Sequence, residues 1–287
     1  MIKQIHSRIA SFLRHQKLRY LPYSKIPYIW FKNRNIHYKI VPLSECSSYK
    51  KSDTIFVLGS GPSVTSLTME QWQQVKEHDS YGINFSFLLD FVPTFHSMED
   101  GKSKWLRGFV EERMKNIKGD YSDTVSIISD RHRARYIHPR LTPEFFPNTS
   151  TCCVYKFPSP IVIEDSDSPF SDEAFDSHSI IYRGSLSAAL YVIDQLGYKK
   201  IILLGVDLHT PEHFFYGMPE MKEYVDRQKA VLDKNKYESM LSKASKMKPF
   251  DEYLYFLKDY LHRKKGVELL IGFKDNMLYP KIPAYFK

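Results

Sequence analysis

The run 54-TIFVLGSGPSVTSL-67 constrains the fold more than any other part of the chain. Thr54 to Leu58 pass without interruption into Gly59-Ser60-Gly61-Pro62-Ser63. A short, continuous apolar run suits a strand covered on both faces, as in a parallel sheet between helices. In open sheets of that kind ligands gather at the carboxyl ends of the strands. A helix starting there turns free N–H groups and a positive dipole end toward an anion. Gly59 and Gly61 permit close backbone approach and left-handed backbone. Pro62 is tolerated in a first helical turn, and Ser63 can cap the helix or bond a ligand oxygen. The turn therefore predicts a nucleotide phosphate or ribose; the alternative is a tight turn that holds nothing. It lacks the Gly-Lys-Ser/Thr of a Walker loop and the third glycine of the dinucleotide fingerprint.

Beyond the turn the chain alternates strand and helix. Residues 66–79 read as a helix with Leu67, Met69, Trp72 and Val75 as its apolar members. Strands are expected at 80–87, 93–100 and 124–130, and a helix at 103–117. Residues 158–179 carry prolines, serines and six acids, and read as a short strand and a solvated loop. Then 184-GSLSAALYVIDQLGYKKIILLGVDL-208 predicts a helix opened by small residues, a C-cap at Gly197 and a buried strand. Residues 250–266 and 267–273 give a last helix and strand. The alternation predicts an α/β fold, a doubly wound, mostly parallel sheet. It divides the chain into four regions: an arm over 1–50, a nucleotide-binding core over 51–208, a polar lid-like insertion over 209–250, and a closing helix and strand over 251–287.

The charge is uneven. Nine lysines and arginines precede the first acid, Glu45, and the remainder, with 32 basic and 33 acidic residues, is near neutral. The arm also repeats Ile2, Ile5, Ile9 and Phe12 at helical spacing, then mixes tyrosines, Trp30 and prolines with bases. Apolar groups entering a headgroup boundary while bases meet phosphates suit an anionic membrane surface. A strap packed on the body uses the same residues. Nucleic acid is the least favoured partner, and none is expected. No run is long enough to span a bilayer, and no stretch reads as a signal peptide. Three cysteines, two of them adjacent at Cys152 and Cys153, supply neither a disulfide framework nor a zinc spacing.

Three features in order carry a family resemblance: the strand with Gly-x-Gly-Pro-Ser, the asparagine of 82-GINFSF-87, and the small-residue helix leading into Leu-Gly-Tyr-Lys-Lys-Ile and Gly-Val-Asp-Leu. Over roughly residues 54–216 the chain resembles the bacterial sialyltransferases of glycosyltransferase family 42. The glycine turn alone is shared with the MptE-like family, whose members imply a diphosphokinase using ATP and magnesium; the 184–208 block favours the sialyltransferases.

The resemblance implies a Rossmann-like sheet of the GT-A-variant kind. It also implies inverting, metal-independent transfer of sialic acid or a relative from a CMP-sugar donor to a surface-glycan or glycolipid acceptor. No cofactor or metal is then expected. A homo-oligomer, and a cytoplasmic enzyme peripheral at the inner membrane for lipopolysaccharide or capsule assembly, belong to the same reading. Carried over by position, Gly59, Ser60, Gly61, Pro62 and Ser63 line the nucleotide. Asn84 faces the CMP or the sugar, and Gly184 and Ser185 contact the donor. From the residues themselves, Asp207 and His213 are further candidates for substrate binding; Asp207 can instead orient the loop after its strand.

Two family tyrosines that donate to the leaving phosphate fall on His209 and on Phe215, with Tyr216 adjacent. The family's catalytic histidine has no counterpart, since no histidine lies between Phe214 and Asp259, and a non-catalytic nucleotide- or membrane-binding protein is the alternative that this departure leaves. Glu99, Asp100, His209 and His213 are the candidates for a base within reach of the acceptor hydroxyl. Asp165 and Asp167 imitate a metal-binding pair, and His213 lies four residues after His209, but neither pattern completes a metal site. Arg131, His132, Arg133 and Arg135 form a basic cluster that suits an acidic ligand or a solvated loop.

Overall fold

The computed structural model describes residues 39–98, 104–115, 120–129, 149–155, 170–177, 182, 184–231 and 249–287. Most of the arm, Glu99, Asp100, the Arg131–Arg135 cluster, Asp165, Asp167 and residues 232–248 lie outside that set.

Among the described residues, eight strands form one sheet in which every pairing is parallel: β1 Lys39–Val41, β2 Thr54–Leu58, β3 Asp79–Ile83, β4 Phe95–Ser97, β5 Val125–Ser129, β6 Thr151–Tyr155, β7 Lys200–Leu204 and β8 Glu268–Ile271. Their spatial order is β1-β6-β5-β4-β3-β2-β7-β8. From β2 the chain walks outward through β3, β4, β5 and β6, then returns to place β7 on the other side of β2. This reversal is the switch point of a doubly wound, Rossmann-like sheet. The helices are α1 Met69–Lys76, α2 Lys104–Lys115, α3 Asp172–Ser177, α4 Gly184–Gln195, α5 Lys222–Val231 and α6 Phe250–Lys265.

Side-chain alternation explains why β2, β7 and β8 are apolar on both faces. Ile55, Val57, Ile201, Leu203, Leu269 and Ile271 face a core shared with α4 and α6 through Ala189, Val192, Ile193, Leu254, Leu257 and Leu261. Their neighbours Phe56, Leu58, Ile202 and Leu204 face the opposite layer, with Val64, Leu67 and Val75 around α1 and Phe286 from the C-terminal segment. A third cluster joins Phe85, Phe87, Phe109, Val110 and Met114 to Phe215, Met221 and Val225, tying α2 to the stretch after β7. The first part of the expected insertion is thus packed against the core.

Several local expectations change. The helix after the glycine turn does not run from 66 to 79. A short 3-10 turn covers Pro62–Ser66, and α1 begins at Met69, where Thr68 and Gln71 form a reciprocal capping box. That start turns Met69 to solvent, 82% exposed, while Val75 is buried. The second strand stops at Ile83 because Asn84 takes left-handed backbone, φ 50°. β1 and β6 were not expected. β1 places residues 39–41 of the basic segment on the edge of the sheet, and β6 carries Cys152 and Cys153, both buried. Within the acidic stretch, Asp172–Ser177 is helical, held by the Arg263–Asp172 ion pair and by the Tyr260 hydroxyl donating to Asp176.

The amino edge of the sheet is fastened by Asp79, which is fully buried. Its carboxylate accepts from the Lys51 and Ser52 N–H groups at 2.8 and 3.1 Å. It also accepts from the Tyr198 hydroxyl at 2.9 Å and the Thr94 hydroxyl at 3.2 Å.

Candidate functional site

At the carboxyl edge, the turn after β2 and the turn after β7 cross in contact. The Gly59 N–H donates to the Leu204 carbonyl and the Gly61 N–H to the Gly205 carbonyl, both at 2.8 Å. A Cβ on Gly59 would lie 2.4 Å from the Gly205 carbonyl oxygen, and Gly205 itself has φ +64°. These glycines are required first by the crossing of two backbones.

Asp207 comes just after that crossing and closes it. One carboxylate oxygen accepts from the Ser63 N–H at 2.7 Å, and the other from the Ser63 hydroxyl at 2.7 Å. Ser63 therefore caps no long helix; its N–H and its hydroxyl both donate to a carboxylate of the chain. A Cβ on Gly61 would fall 2.4 Å from that same carboxylate. The loop is pinned from behind by the Asn276 amide, which donates to the Val206 carbonyl at 3.0 Å.

Ser60 faces the next segment. Its carbonyl accepts the Phe214 N–H at 2.9 Å and also bonds the His213 imidazole. The His213 ring stacks on Phe215, with ring centres 5.1 Å apart, and meets Tyr216 edge-on at 5.0 Å. Burial lowers the His213 pKa, and the bond to the Ser60 carbonyl opposes the shift. Burial, helped by Glu212, raises the Tyr216 phenol. His209 is exposed in the turn closed by Thr210 N–H and the Asp207 carbonyl.

One strand over, the Asn84 amide donates to the Ser185 hydroxyl at 3.1 Å. Ser185 is the second residue of α4, after Gly184, which is exposed with φ +81°. Two residues 101 positions apart, both expected on the donor side, thus meet at the carboxyl end of β3. Beneath them lies His96, fully buried on β4, whose Nε2–H donates to the Asn84 carbonyl at 2.9 Å. Its Cδ2 would lie 3.1 Å from a Cβ on Gly82. Sequence reasoning passed over His96 because a histidine inside a strand carries no signal of its own.

Burial pushes the His96 imidazole down to about 4, against a weaker upward pull from the Asn84 carbonyl. The unfolded chain therefore takes up a proton near the ordinary value of 6.5 while the folded protein stays neutral there. Stability from this group is complete above pH 6.5 and falls as the pH drops toward 4, by roughly 3 kcal/mol in all. Urea titrations between about pH 7 and 4 should show that slope, and a His96→Gln variant should lose this part of it.

The structure thus brings Gly59, Ser60, Gly61, Pro62, Ser63, Asp207, His213 and Tyr216 to one turn system, and Asn84, Gly184 and Ser185 to the adjoining strand end. His209 is exposed in the turn that follows Asp207. Among the described residues no cluster of three or more His, Cys, Asp or Glu side chains could hold a metal ion, and no helix is long and apolar enough to cross a membrane.

No protein-family model matches the chain, and no curated protein matches its sequence. Solved structures are similar to it at low identity. The monofunctional alpha-2,3-sialyltransferase Cst-I from Campylobacter jejuni is 17% identical, with a TM-score of 0.47, over 82% of this chain and 81% of that one. The sialyltransferase CstII with a trisaccharide acceptor and CMP is 14% identical, with a TM-score of 0.44, over 80% and 85%. CstII from Campylobacter jejuni with the substrate analogue CMP-3FNeuAc is 16% identical, with a TM-score of 0.41, over 80% and 85%.

Proposed function

We propose that this chain is an inverting glycosyltransferase that moves sialic acid or a related ulosonic acid from a CMP-sugar donor to a surface-glycan acceptor. One observation carries the reading. The Gly59–Ser63 turn, the Asn84–Ser185 pair and the His213–Tyr216 segment converge on the carboxyl edge at the switch between β2 and β7, where such sheets hold nucleotides. This is also the order of motifs that carries the family resemblance.

In this scheme the backbone around Ser60 lies against the nucleotide, and Asn84 and Ser185 orient the donor. An acceptor hydroxyl attacks the anomeric carbon, the bond to the phosphate oxygen breaks, and CMP leaves with the electron pair. Hydrogen-bond donors at the leaving phosphate lower that barrier without a metal; the Tyr216 phenol, its pKa raised by burial, is the donor assigned to this role. His213, whose pKa burial lowers, and His209 are the candidates among the described residues to receive the acceptor's proton, alongside Glu99 and Asp100. The basic N-terminal arm would hold the enzyme on an anionic membrane surface beside lipid-linked acceptors.

Calorimetric titration tests the reading. CMP should bind without metal, and Ser185→Ala and Asn84→Ala should each weaken it about tenfold, the loss of one or two hydrogen bonds to a charged ligand. Binding of ATP that requires magnesium, with CMP silent, would overturn the donor class. Unchanged CMP affinity in both variants would overturn the placement of the site.

A further inference from the structure

We infer that Asp207 is the positioning residue of the nucleotide turn: it presets the Gly59–Ser63 backbone before any ligand arrives and takes no direct part in holding the nucleotide. The inference rests on the proposed function for its ligand, but its structural half stands without it.

Asp207 is only 9% exposed, and an ionised group out of water must be matched by hydrogen bonds. Both its oxygens are engaged by one residue, Ser63, through its main chain and its side chain. A packing residue would need no charge here. Each oxygen accepts from the same residue, 144 positions away in the sequence, so the carboxylate is oriented by Ser63.

Ser63 cannot shift without moving Gly61, whose missing side chain lets the carboxylate approach. Gly61 is bonded to Gly205, and Ser60, the residue before it, carries the bonds to Phe214 and His213. Asp207 thus sets Ser63, and through the turn it sets the orientation of Ser60 and the His213 ring. The ligand must meet the Ser60 side of the turn, because the Ser63 N–H is occupied and a fixed negative charge stands behind it.

The chemistry of the bond pair gives a discriminating substitution. The N–H of Ser63 can only donate, while its hydroxyl can donate or accept. In Asp207→Asn the side-chain oxygen can keep the N–H bond, and the new amide can donate to the hydroxyl. The asparagine therefore preserves the clamp and removes the charge; Asp207→Ala removes both.

Two readouts are needed. Hydrogen exchange over residues 59–66 in the ligand-free protein should accelerate at least about tenfold in Asp207→Ala and stay within about threefold of the parent in Asp207→Asn. CMP affinity should show the same ranking, with a loss of about tenfold or more for alanine and little for asparagine. The double variant Ser63→Ala/Asp207→Ala should bind no more weakly than Asp207→Ala alone, since both act through one contact.

Exchange unchanged in Asp207→Ala would overturn the inference. So would an asparagine variant that keeps its protection yet binds CMP as poorly as the alanine variant, for then the charge itself meets the ligand. If the parent protein fails to bind CMP, the proposed function falls, while the exchange arm still decides whether Asp207 sets the turn. Asp207→Asn and Ser63→Ala, both mild replacements, keep the test open if the alanine variant does not fold.

Discussion

Replacing Gly59 by alanine is expected to cost about 3 kcal/mol of stability and to weaken CMP binding by more than about tenfold. The added Cβ would sit 2.4 Å from the Gly205 carbonyl oxygen and 3.2 Å from that of Leu204. Both are main-chain atoms at the end of a paired strand, so no flexible side chain can yield. Relief must come from separating the turns after β2 and β7, which breaks the Gly59–Leu204 and Gly61–Gly205 hydrogen bonds. A loss of that size lowers the melting temperature of a protein this large by roughly 6–10 °C. Gly108→Ala is the control. It lies on α2 with nothing within 4 Å of the added carbon, and alanine there should be neutral or stabilise by up to about 1 kcal/mol. Differential scanning calorimetry and CMP titration on the two variants would check the pair. Equal behaviour would mean that the crossing of the turns does not govern the fold at this edge.

Asp79→Ala is expected to have the largest effect on stability and none on the site. The substitution removes the acceptor for two main-chain N–H groups and two hydroxyls in a position with no access to water. Each buried donor left without a partner costs about 1–3 kcal/mol. The hydroxyls can turn elsewhere, while the part-buried Lys51 and Ser52 N–H groups each lose a charged acceptor, which sets the loss at about 4 kcal/mol. That is a large share of the roughly 5–15 kcal/mol typical of a folded domain. Asp79→Asn keeps one carbonyl oxygen and should lose less, and Tyr198→Phe, which removes one hydrogen bond, should lose about 1 kcal/mol. Urea denaturation orders the three. CMP affinity of the folded protein should be unchanged in all, because Asp79 lies at the amino edge of the sheet and the candidate site at the carboxyl edge. A parallel loss of CMP affinity would show the two edges to be coupled.

The parallel sheet was legible because strands buried on both faces leave unbroken apolar runs, as in 54–58 and 200–204. β6 escaped notice because 151-TCCVY-155 is short, although Pro147-Asn148 before it and Pro158 after it bound it, and β1 because it has only three residues, in a basic stretch. The end of β3 was misplaced because apolar spacing continues through Phe85 and Phe87, whereas the backbone turns at Asn84. The members of the site were legible as types at a strand end: glycines, serines, an asparagine. Their pairing was not. Nothing in the local sequence says that Asp207 will take both Ser63 donors, or that Asn84 will meet Ser185, since each contact joins residues more than a hundred positions apart. Complementarity at that distance becomes visible only once the strand order is known.

The crossing of Gly59 and Gly205 also bears on how portable this site is. A Walker loop can be treated as a cassette, since its own backbone forms the cradle. Here the turn after β2 draws its hydrogen-bond partners from Leu204, Gly205, Asp207 and Phe214. Moving residues 54–66 into another scaffold would transfer a strand and a sharp bend without the surface that shapes them. Inheritance of the site is inheritance of the β2–β7 junction as a whole, and an engineer seeking to change its ligand must vary both turns together.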